Sequence, residues 1–274
     1  MRFPLSGKIK MPAKPLTDIM LLNKCALVIT SSVHVSAPNT SLTDPQQREM
    51  QYLDSISFFI RESPVTKIIV CDNSGYRYPE SVYSMAALHH KEIELLSFNG
   101  NNQLVALYGK GYGEGEILEF VLSNSVLIKQ VEGFLKVTGR FKLVNIATLL
   151  QHANHWENYF MPVSLLRPRW MVPRAARRCV DVRVYYVTTA FFREVLLTAY
   201  RKVADKDVYF LEHAYHDAIA HQPARVKCFD TAPEMTGISG SGGWVLKERS
   251  RWKKGLVKFV FMLGYIRPVY RATK

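Results

Sequence analysis

The sequence predicts an α/β fold with a mostly parallel sheet flanked by helices, and three observations lead there. Short apolar runs recur along the first half: "KCALVITSSV" (24–33), "TKIIVCDNSG" (66–75), "EIELLSF" (92–98) and "GFLKVTGR" (133–140). Segments with apolar residues at helical spacing alternate with them. Most of the runs end in a polar or glycine-bearing turn, as expected where parallel strands deliver the chain to returning helices. With 274 residues, 48% of them hydrophobic, the chain is long enough to bury a sizeable core.

Taken in order, the amino-terminal "MRFPLSGKIKMPAKPL" is basic and broken by prolines, without the apolar stretch of an export signal. The first strand follows and ends at Thr30-Ser31-Ser32. Asp44-Pro45-Gln46-Gln47 predicts a helix start, with Asp44 as N-cap, proline in the first turn and a glutamine three residues on. Met50, Leu53, Ile56 and Ile60 then mark its apolar face, and Pro64 closes it. The second strand ends in Asp72-Asn73-Ser74-Gly75. A helix over "ESVYSMAALHH" and the third strand come next. Gly109, Gly111, Gly113 and Gly115 read as a glycine-rich connection before a helix carrying Ile117, Leu118, Val121 and Leu122. The fourth strand ends at Thr138-Gly139-Arg140 and resumes as "FKLVNI", which leaves a hairpin turn open as the plain reading.

The second half is less regular. A basic loop, "SLLRPRWMVPRAARRC", precedes a strand or two in "VDVRVYYVTTAFF" and helices over "REVLLTAYRKVA" and "VYFLEHAYHDAIA". A glycine-serine loop, "TGISGSGGW", leads to the end. Residues 1–244 read as one domain, with halves of about 24–146 and 147–244, and residues 245–274 as a basic aromatic tail.

Charge narrows the partners. The 36 Lys and Arg exceed the 23 Asp and Glu, for a formal net charge of +13. Such an excess points to phosphate-bearing partners: nucleic acid, an anionic membrane surface or nucleotides. The tail alone holds nine Lys and Arg against Glu248, interleaved with Trp252, Phe259, Phe261, Tyr265 and Tyr270. Basic amphipathic segments lie on anionic membranes, each cation adding roughly 1 kcal/mol near the surface. Nucleic acid would accept the same composition, but no RNP, zinc-finger or helix-turn-helix signature accompanies it. No run approaches the roughly 20 apolar residues of a membrane span, so the expected place is the cytoplasm, peripheral on the inner face of the membrane. Cys25, Cys71, Cys179 and Cys228 form no CxxC pair, which argues against a zinc ribbon or disulfide scaffold and fits a reducing compartment.

Several constellations could carry chemistry. The glycine-rich stretch lacks GxxxxGK[ST], so it is no P-loop. It packs closely or offers amides to a phosphate, and Glu114 and Glu116 disfavour the second. Asp72 either makes an Asx-turn or reaches ribose hydroxyls or a base, and the two are compatible. Asp205-Lys206-Asp207 has the letters of a metal-binding Asp-x-Asp, but between two helices a cap explains it. On "YFLEHAYHDAIAH", Glu212 and His216, and His213 and Asp217, are four apart and share faces. HExxH is absent, so local pairs compete with a general base, Glu212, whose pKa would rise on burial beside Phe210 and Leu211. Arg167, Arg169, Arg174, Arg177 and Arg178 form a solvated loop or a phosphate clamp.

The texts "LTDPQQREMQYLDSISFFI", "IIVCDNSG", "GKGYGEGEILEFVLSNS", "LKVTGRFKLVNI" and "YFLEH", in this order, resemble bacterial GT-A-type glycosyltransferases of lipopolysaccharide and capsular polysaccharide biosynthesis. The resemblance covers roughly residues 24–220 and makes 24–146 a nucleotide-binding half and 147–244 an acceptor half. It implies a nucleotide-sugar donor across the strand tips and a glycan or glycolipid acceptor. Ser31, Ser32, Asp72, Asn73, Lys136, Thr138 and Gly139 would then line the donor. Lys136 to Arg140 stand where metal-dependent members carry Asp-x-Asp. That departure implies no metal cofactor, with Arg140 replacing it, and Mn²⁺ or Mg²⁺ as the alternative. Glu212 would be the base of an inverting reaction, and Lys110, Arg167, Arg169, Arg183 and His213 candidates for phosphate or acceptor contacts. The competing reading is a basic nucleic-acid-binding protein without catalysis; a nucleotide-binding scaffold with a dead site is a third.

Overall fold

The computed structural model describes residues 21–35, 40–162, 178–238, 245–246, 250, 252 and 255–256. The four apolar runs form strands β1 (Cys25–Ser31), β2 (Lys67–Asp72), β3 (Glu92–Ser97) and β4 (Gly133–Thr138). Strands β5 (Phe141–Leu143), β6 (Asn158–Tyr159), β7 (Val184–Thr188), β8 (Val226–Lys227), β9 (Met235–Ile238) and β10 (Val245–Leu246) complete the set. A seven-stranded sheet runs in the order β3-β2-β1-β4-β7-β6-β8, and a three-stranded one in the order β10-β9-β5. Strands β3, β2, β1 and β4 are parallel, whereas β7 is antiparallel to β4 and to β6. The mostly parallel α/β sheet expected from the sequence is therefore the one observed.

The chain builds β1, β2 and β3 outward in one direction, then returns to lay β4 on the other side of β1. The point between β1 and β4 is a topological switch. The carboxyl ends of the two strands meet there, at the place where open α/β sheets bind ligands in a crevice beyond their strands. The chain runs on from both strands to the same face, through Tyr52 and Ile56 after β1 and Leu143 and Ile146 after β4.

Both faces of the sheet are covered. Cys25, Leu27 and Ile29 of β1, with Leu135 and Val137 of β4, pack against Tyr52, Ile56, Phe59 and Ile60. Those four come from helix α1 (Pro45–Glu62). Helices α2 (Ser81–Leu88) and α5 (Ile146–Gln151) lie on the same face. Between them in the chain come α3 (Asn102–Tyr108) and α4 (Lys110–Asn124), and α6 (Leu211–Ala220) follows β7. On the other face Ala26, Val28 and Phe134 meet Ile117, Leu118, Val121 and Leu122 of α4, and Leu211, Ala214 and Tyr215 of α6.

Helix α1 starts as read: Asp44 caps it through the Gln46 amide at 2.9 Å, with Pro45 first. Its buried face is different. Met50 is 63% exposed, while Arg48 is 4% exposed and joins Tyr52, Ser55, Ile56, Phe59 and Ile60 inward. An arginine can take this place because its donors reach carbonyls at the helix's edge: Ser32 O at 2.5 and 2.9 Å and Leu42 O at 3.1 Å.

The glycine-rich connection is also revised. Only Gly109, at φ 110°, breaks the chain, between α3 and α4; Gly111, Gly113 and Gly115 are helical. A side chain at Gly115 would collide with the Tyr200 ring, so the glycine lets α4 press against the 3₁₀ turn Ala199–Lys202. The helix expected over "REVLLTAYRKVA" is a succession of short turns, with a π-helical turn at Phe192–Leu196 and then that 3₁₀ turn.

The stretch after β4 is no hairpin. Strand β5 pairs with β9, not with β4, so the Gly139-Arg140 turn passes the chain from the large sheet to the small one. Val245 and Leu246, the first residues of the expected tail, pair with β9 as strand β10. Among the described residues no helix is long and apolar enough to cross a membrane.

Candidate active site

The crevice at the β1/β4 switch is bordered by the strand tips. Ser31 is buried and its hydroxyl donates to Cys71 O at 3.2 Å and Asp72 Oδ2 at 3.0 Å. Asp72, fully buried, also accepts from the amides of Val33 (3.0 Å) and Ser74 (2.7 Å), and from the Ser74 hydroxyl (2.5 Å). That is the Asx-turn reading, and a ribose contact would displace one of these donors. Ser32 is partly exposed, with its amide on Tyr52 OH at 3.1 Å. Asn73 donates from Nδ2 to Gly113 O at 3.3 Å, and its Oδ1 is buried with no hydrogen-bond partner among the described residues.

The β4 tip divides its residues between the two faces. Gly139 donates its amide to Thr30 O at 2.9 Å, and its carbonyl accepts from the Ser55 hydroxyl. A side chain here would strike Thr30 O and crowd Tyr52, so the close backbone approach expected toward a diphosphate is made instead to β1 and α1. Arg140, 8% exposed, lies over the Tyr52 ring at 6.0 Å and donates to Gln51 Oε1 at 3.3 Å. Burial lowers its pKa and nearby Arg48 adds to that, against the Tyr52 hydroxyl. No carboxylate among the described residues is within ion-pair distance of Arg140.

Lys136 and Thr138 turn to the other face. Lys136 is fully buried: its ammonium pairs with Glu114 of α4 and donates to Thr138 Oγ1 at 2.8 Å and Val182 O at 2.6 Å. It is therefore not presented to the crevice, and the donor contact expected of it is replaced by an internal one. The reason is register: Lys136 shares its strand face with Phe134, under α4.

Glu212 stands in the first turn of α6, half-buried, beside this pair. Burial pushes its carboxyl up to about 7; Glu114 and Asp181 push the same way, and its own amide and Lys136 oppose. The backbone carbonyl of Glu212 accepts from the Val180 amide at 3.2 Å, which ties α6 to the segment entering β7. In that segment Arg183 grips Asp181 with two donors at 2.9 and 2.5 Å. Burial alone would lower the Arg183 pKa, but Asp181 reverses the sign and raises it.

Lys110 opens α4. Burial lowers its pKa, Arg140 and Arg48 push further down, and Asp205 opposes. Asp205 itself accepts from the Lys110 backbone amide and fills the space over Gly109. The doubtful Asp-x-Asp acid is thus a cap, on α4 rather than on a helix of its own. Among the described residues no three His, Cys, Asp or Glu side chains are grouped to hold a metal ion.

His213 serves its own helix. Its Nδ1 accepts from the Phe210 amide at 3.2 Å, which leaves the proton on Nε2, 3.2 Å from Cys179 Sγ. Asp217 holds its neighbour His216 at 3.1 Å, Arg178 at 2.7 Å and Tyr209 OH at 3.0 Å. Arg167, Arg169, Arg174 and Arg177 lie outside the described residues, as does most of 245–274. Sequence reasoning overlooked Arg48, Gln51, Tyr52 and Asp181. The signal for Arg48 was present, as a cation four residues before Tyr52 and eight before Ile56 on an apolar helical face.

No protein-family model matches the chain, and no curated protein is found to match it. Solved structures give distant likenesses. The glycosyltransferase GlyE of Streptococcus pneumoniae TIGR4 aligns over 74% of this chain and 44% of its own, at 11% identity and a TM-score of 0.43. Core-mannan synthase A of Aspergillus fumigatus, in a Mn/GDP form, aligns over 89% of this chain and 85% of its own, at 8% identity and 0.44. The 4-diphosphocytidyl-2C-methyl-D-erythritol synthase of Anaerococcus prevotii aligns over 89% and 99%, at 9% identity and 0.39. The chain thus spans less than half the length of the first of these. All three are likenesses of fold, and no activity of this chain is drawn from them.

Proposed function

We propose that the chain is a glycosyltransferase that moves a sugar from a nucleotide-sugar donor to a lipid-linked or surface-polysaccharide acceptor, with inversion. One observation carries the reading: a carboxyl raised to about 7, Glu212, on the helix tied through Val180 to the segment that enters β7 beside the carboxyl end of β4. A base of that pKa is half ionised at neutral pH and still strong enough to take a proton from an attacking hydroxyl. The acceptor oxygen would bond to the anomeric carbon as its proton passes to Glu212. The bond from that carbon to the donor phosphate breaks, and its electron pair leaves with the nucleoside diphosphate.

The departing diphosphate needs positive charge. Arg140, with no acid in ion-pair distance among the described residues, and Lys110, within electrostatic reach of it, would supply it without a metal ion. Arg183, paired to Asp181, is the less available cation. The basic segment 245–274 would hold the protein to the anionic inner face of the cytoplasmic membrane, where such an acceptor lies.

A thermal-shift screen of UDP-, GDP- and CMP-sugars tests the donor class, and stabilisation by one of them is expected. With that donor, Glu212→Gln should keep binding and lose about 10²–10⁴-fold in kcat. Full activity in Glu212→Gln would remove the base. Activity that survives EDTA is expected, and a strict requirement for Mn²⁺ would overturn the metal-free part.

A further inference from the structure

We propose that the cleft beside Trp156 is a carbohydrate-binding site, which takes one neutral sugar ring of a longer glycan at the sheet edge opposite the crevice. The inference goes beyond the transferase reading and does not rest on it. The cleft has a volume of about 200 Å³, and its walls include Trp156, Glu157, Asn158, Thr188, Arg225 and Lys227. Its place follows from register. Thr188 ends β7 opposite Gly133, the first residue of β4, whereas the crevice opens past Thr138 at the other end. The length of β4, roughly 17 Å at about 3.3 Å per residue, separates the two.

Trp156 is 62% exposed, yet it is backed by a fixed neighbour. The ring of buried His155 meets the indole in a T-shaped contact, with centroids 4.4 Å apart. His155 in turn is held by Glu132 at 3.1 Å and, through its carbonyl, by the Tyr186 hydroxyl at 2.9 Å. The floor is as firm. Asn158 is buried, donates to Arg225 O at 2.9 Å and accepts from the Thr188 amide at 2.9 Å. On the rim, Lys227 pairs with Glu157, which also accepts from the Tyr159 hydroxyl and from Asn154 Nδ2. Arg225 pairs with Glu194 at 2.8 Å and lies over the Phe191 ring at 5.0 Å. An exposed tryptophan alone is ordinary. One fixed from behind, at the wall of a cleft with a rigid polar floor, is a platform.

Charge selects the ligand. Lys227 and Arg225 are each answered by an acid, so the rim offers no excess cation to a phosphate or to an anionic lipid surface. It still offers hydrogen bonds. An ammonium has three donors and a guanidinium five, more than one carboxylate contact each consumes. The cleft therefore presents a flat apolar face beside donors and an acceptor of balanced charge. A pyranose ring is divided in the same way, with C–H bonds on one face for the indole and hydroxyls around its edge for Lys227, Arg225 and Glu157. At about 200 Å³ the cleft is smaller than the roughly 300–1,000 Å³ of sites that enclose a whole ligand. It suits one residue of a chain that continues into solvent.

The test adds neutral tetrasaccharides of glucose, mannose, galactose and N-acetylglucosamine to protein ¹⁵N-labelled at tryptophan. The indole N–H signal of Trp156, assigned by its loss in Trp156→Ala, should shift saturably with at least one of them, with a Kd of about 1 mM or tighter. Calorimetry with that sugar should then show affinity weakened about ten-fold or more in Trp156→Ala. Trp156→Tyr keeps a ring and should stay within about three-fold of wild type. Lys227→Ala alters only an exposed rim residue and should weaken binding several-fold, which keeps the test open if a tryptophan variant fails to fold. No shift with any of the sugars at about 10 mM overturns the proposal. A shift given only by vesicles of anionic phospholipid also overturns it, and makes Trp156 a membrane contact. No nucleotide sugar enters the experiment, so its outcome and that of the Glu212 assignment are read apart.

Discussion

Glu212 and Arg140 lie on opposite faces of one sheet edge, and each depends on a neighbour with no chemistry of its own. Arg140 lies over the ring of Tyr52, which also receives the Ser32 amide and Arg48 Nη2 at 3.1 Å each. Tyr52→Phe keeps the ring and removes the shared acceptor. It should leave Glu212 untouched and weaken donor binding several-fold, as isothermal titration would show. Arg140→Ala should be worse for binding than for folding, because its hydrogen bond to Gln51, at 3.3 Å, is a long one. Gly139 is the reverse case, with its backbone pressed against β1 and α1. Gly139→Ala drives a methyl into Thr30 O and should cost about 1–3 kcal/mol in a denaturant melt.

At the scale of elements, the sequence was legible where a period or a cap decides the outcome. The Asp44-Pro45 start of α1 and the four parallel strands follow from patterns that need no tertiary information. The buried face of α1 does not, because hydropathy ranks Met50 above Arg48, whereas only the fold brings the carbonyls of Ser32 and Leu42 within reach of a guanidinium. The same holds for α4: glycine spacing says loop, yet three of the four glycines are helical, and Leu211, Val105 with Asn73, and Tyr200 occupy the room that side chains at Gly111, Gly113 and Gly115 would need. Two substitutions separate the cases. Met50→Ala should change stability by less than about 0.5 kcal/mol, and Gly115→Ala, despite its better helix propensity, should lower it by about 1–3 kcal/mol. Glu212 could be read from its place on a half-apolar helix. The burial that raises its carboxyl comes from the fold, and the charges near it, on Glu114, Lys136 and Asp181, are 98, 76 and 31 residues away, so no local pattern joins them.

For the molecule as a whole, the raised carboxyl has a thermodynamic signature that needs no substrate. Between about 4.5 and about 7 the folded chain keeps a proton on Glu212 that the unfolded chain has released. The folded state then binds more protons, so this group makes stability fall as pH rises through that window. Glu212→Gln should flatten that part of the stability curve, measured by urea unfolding at pH 5 and pH 8.

The small sheet has a mechanical side. Strand β10 meets β9 through Val245↔Ile238 and Leu246↔Gly237, and β9 meets β5 through three pairs that end at Phe141↔Gly237. Phe141 follows Arg140 directly. A pull applied beyond Leu246, such as anchorage of the carboxyl-terminal segment to a surface, would be borne first by those short ladders. It would arrive at the guanidinium after two strands, with the large sheet as the fixed frame it works against. The small sheet is in this sense a lever, whose short arm is the turn at the mouth of the crevice.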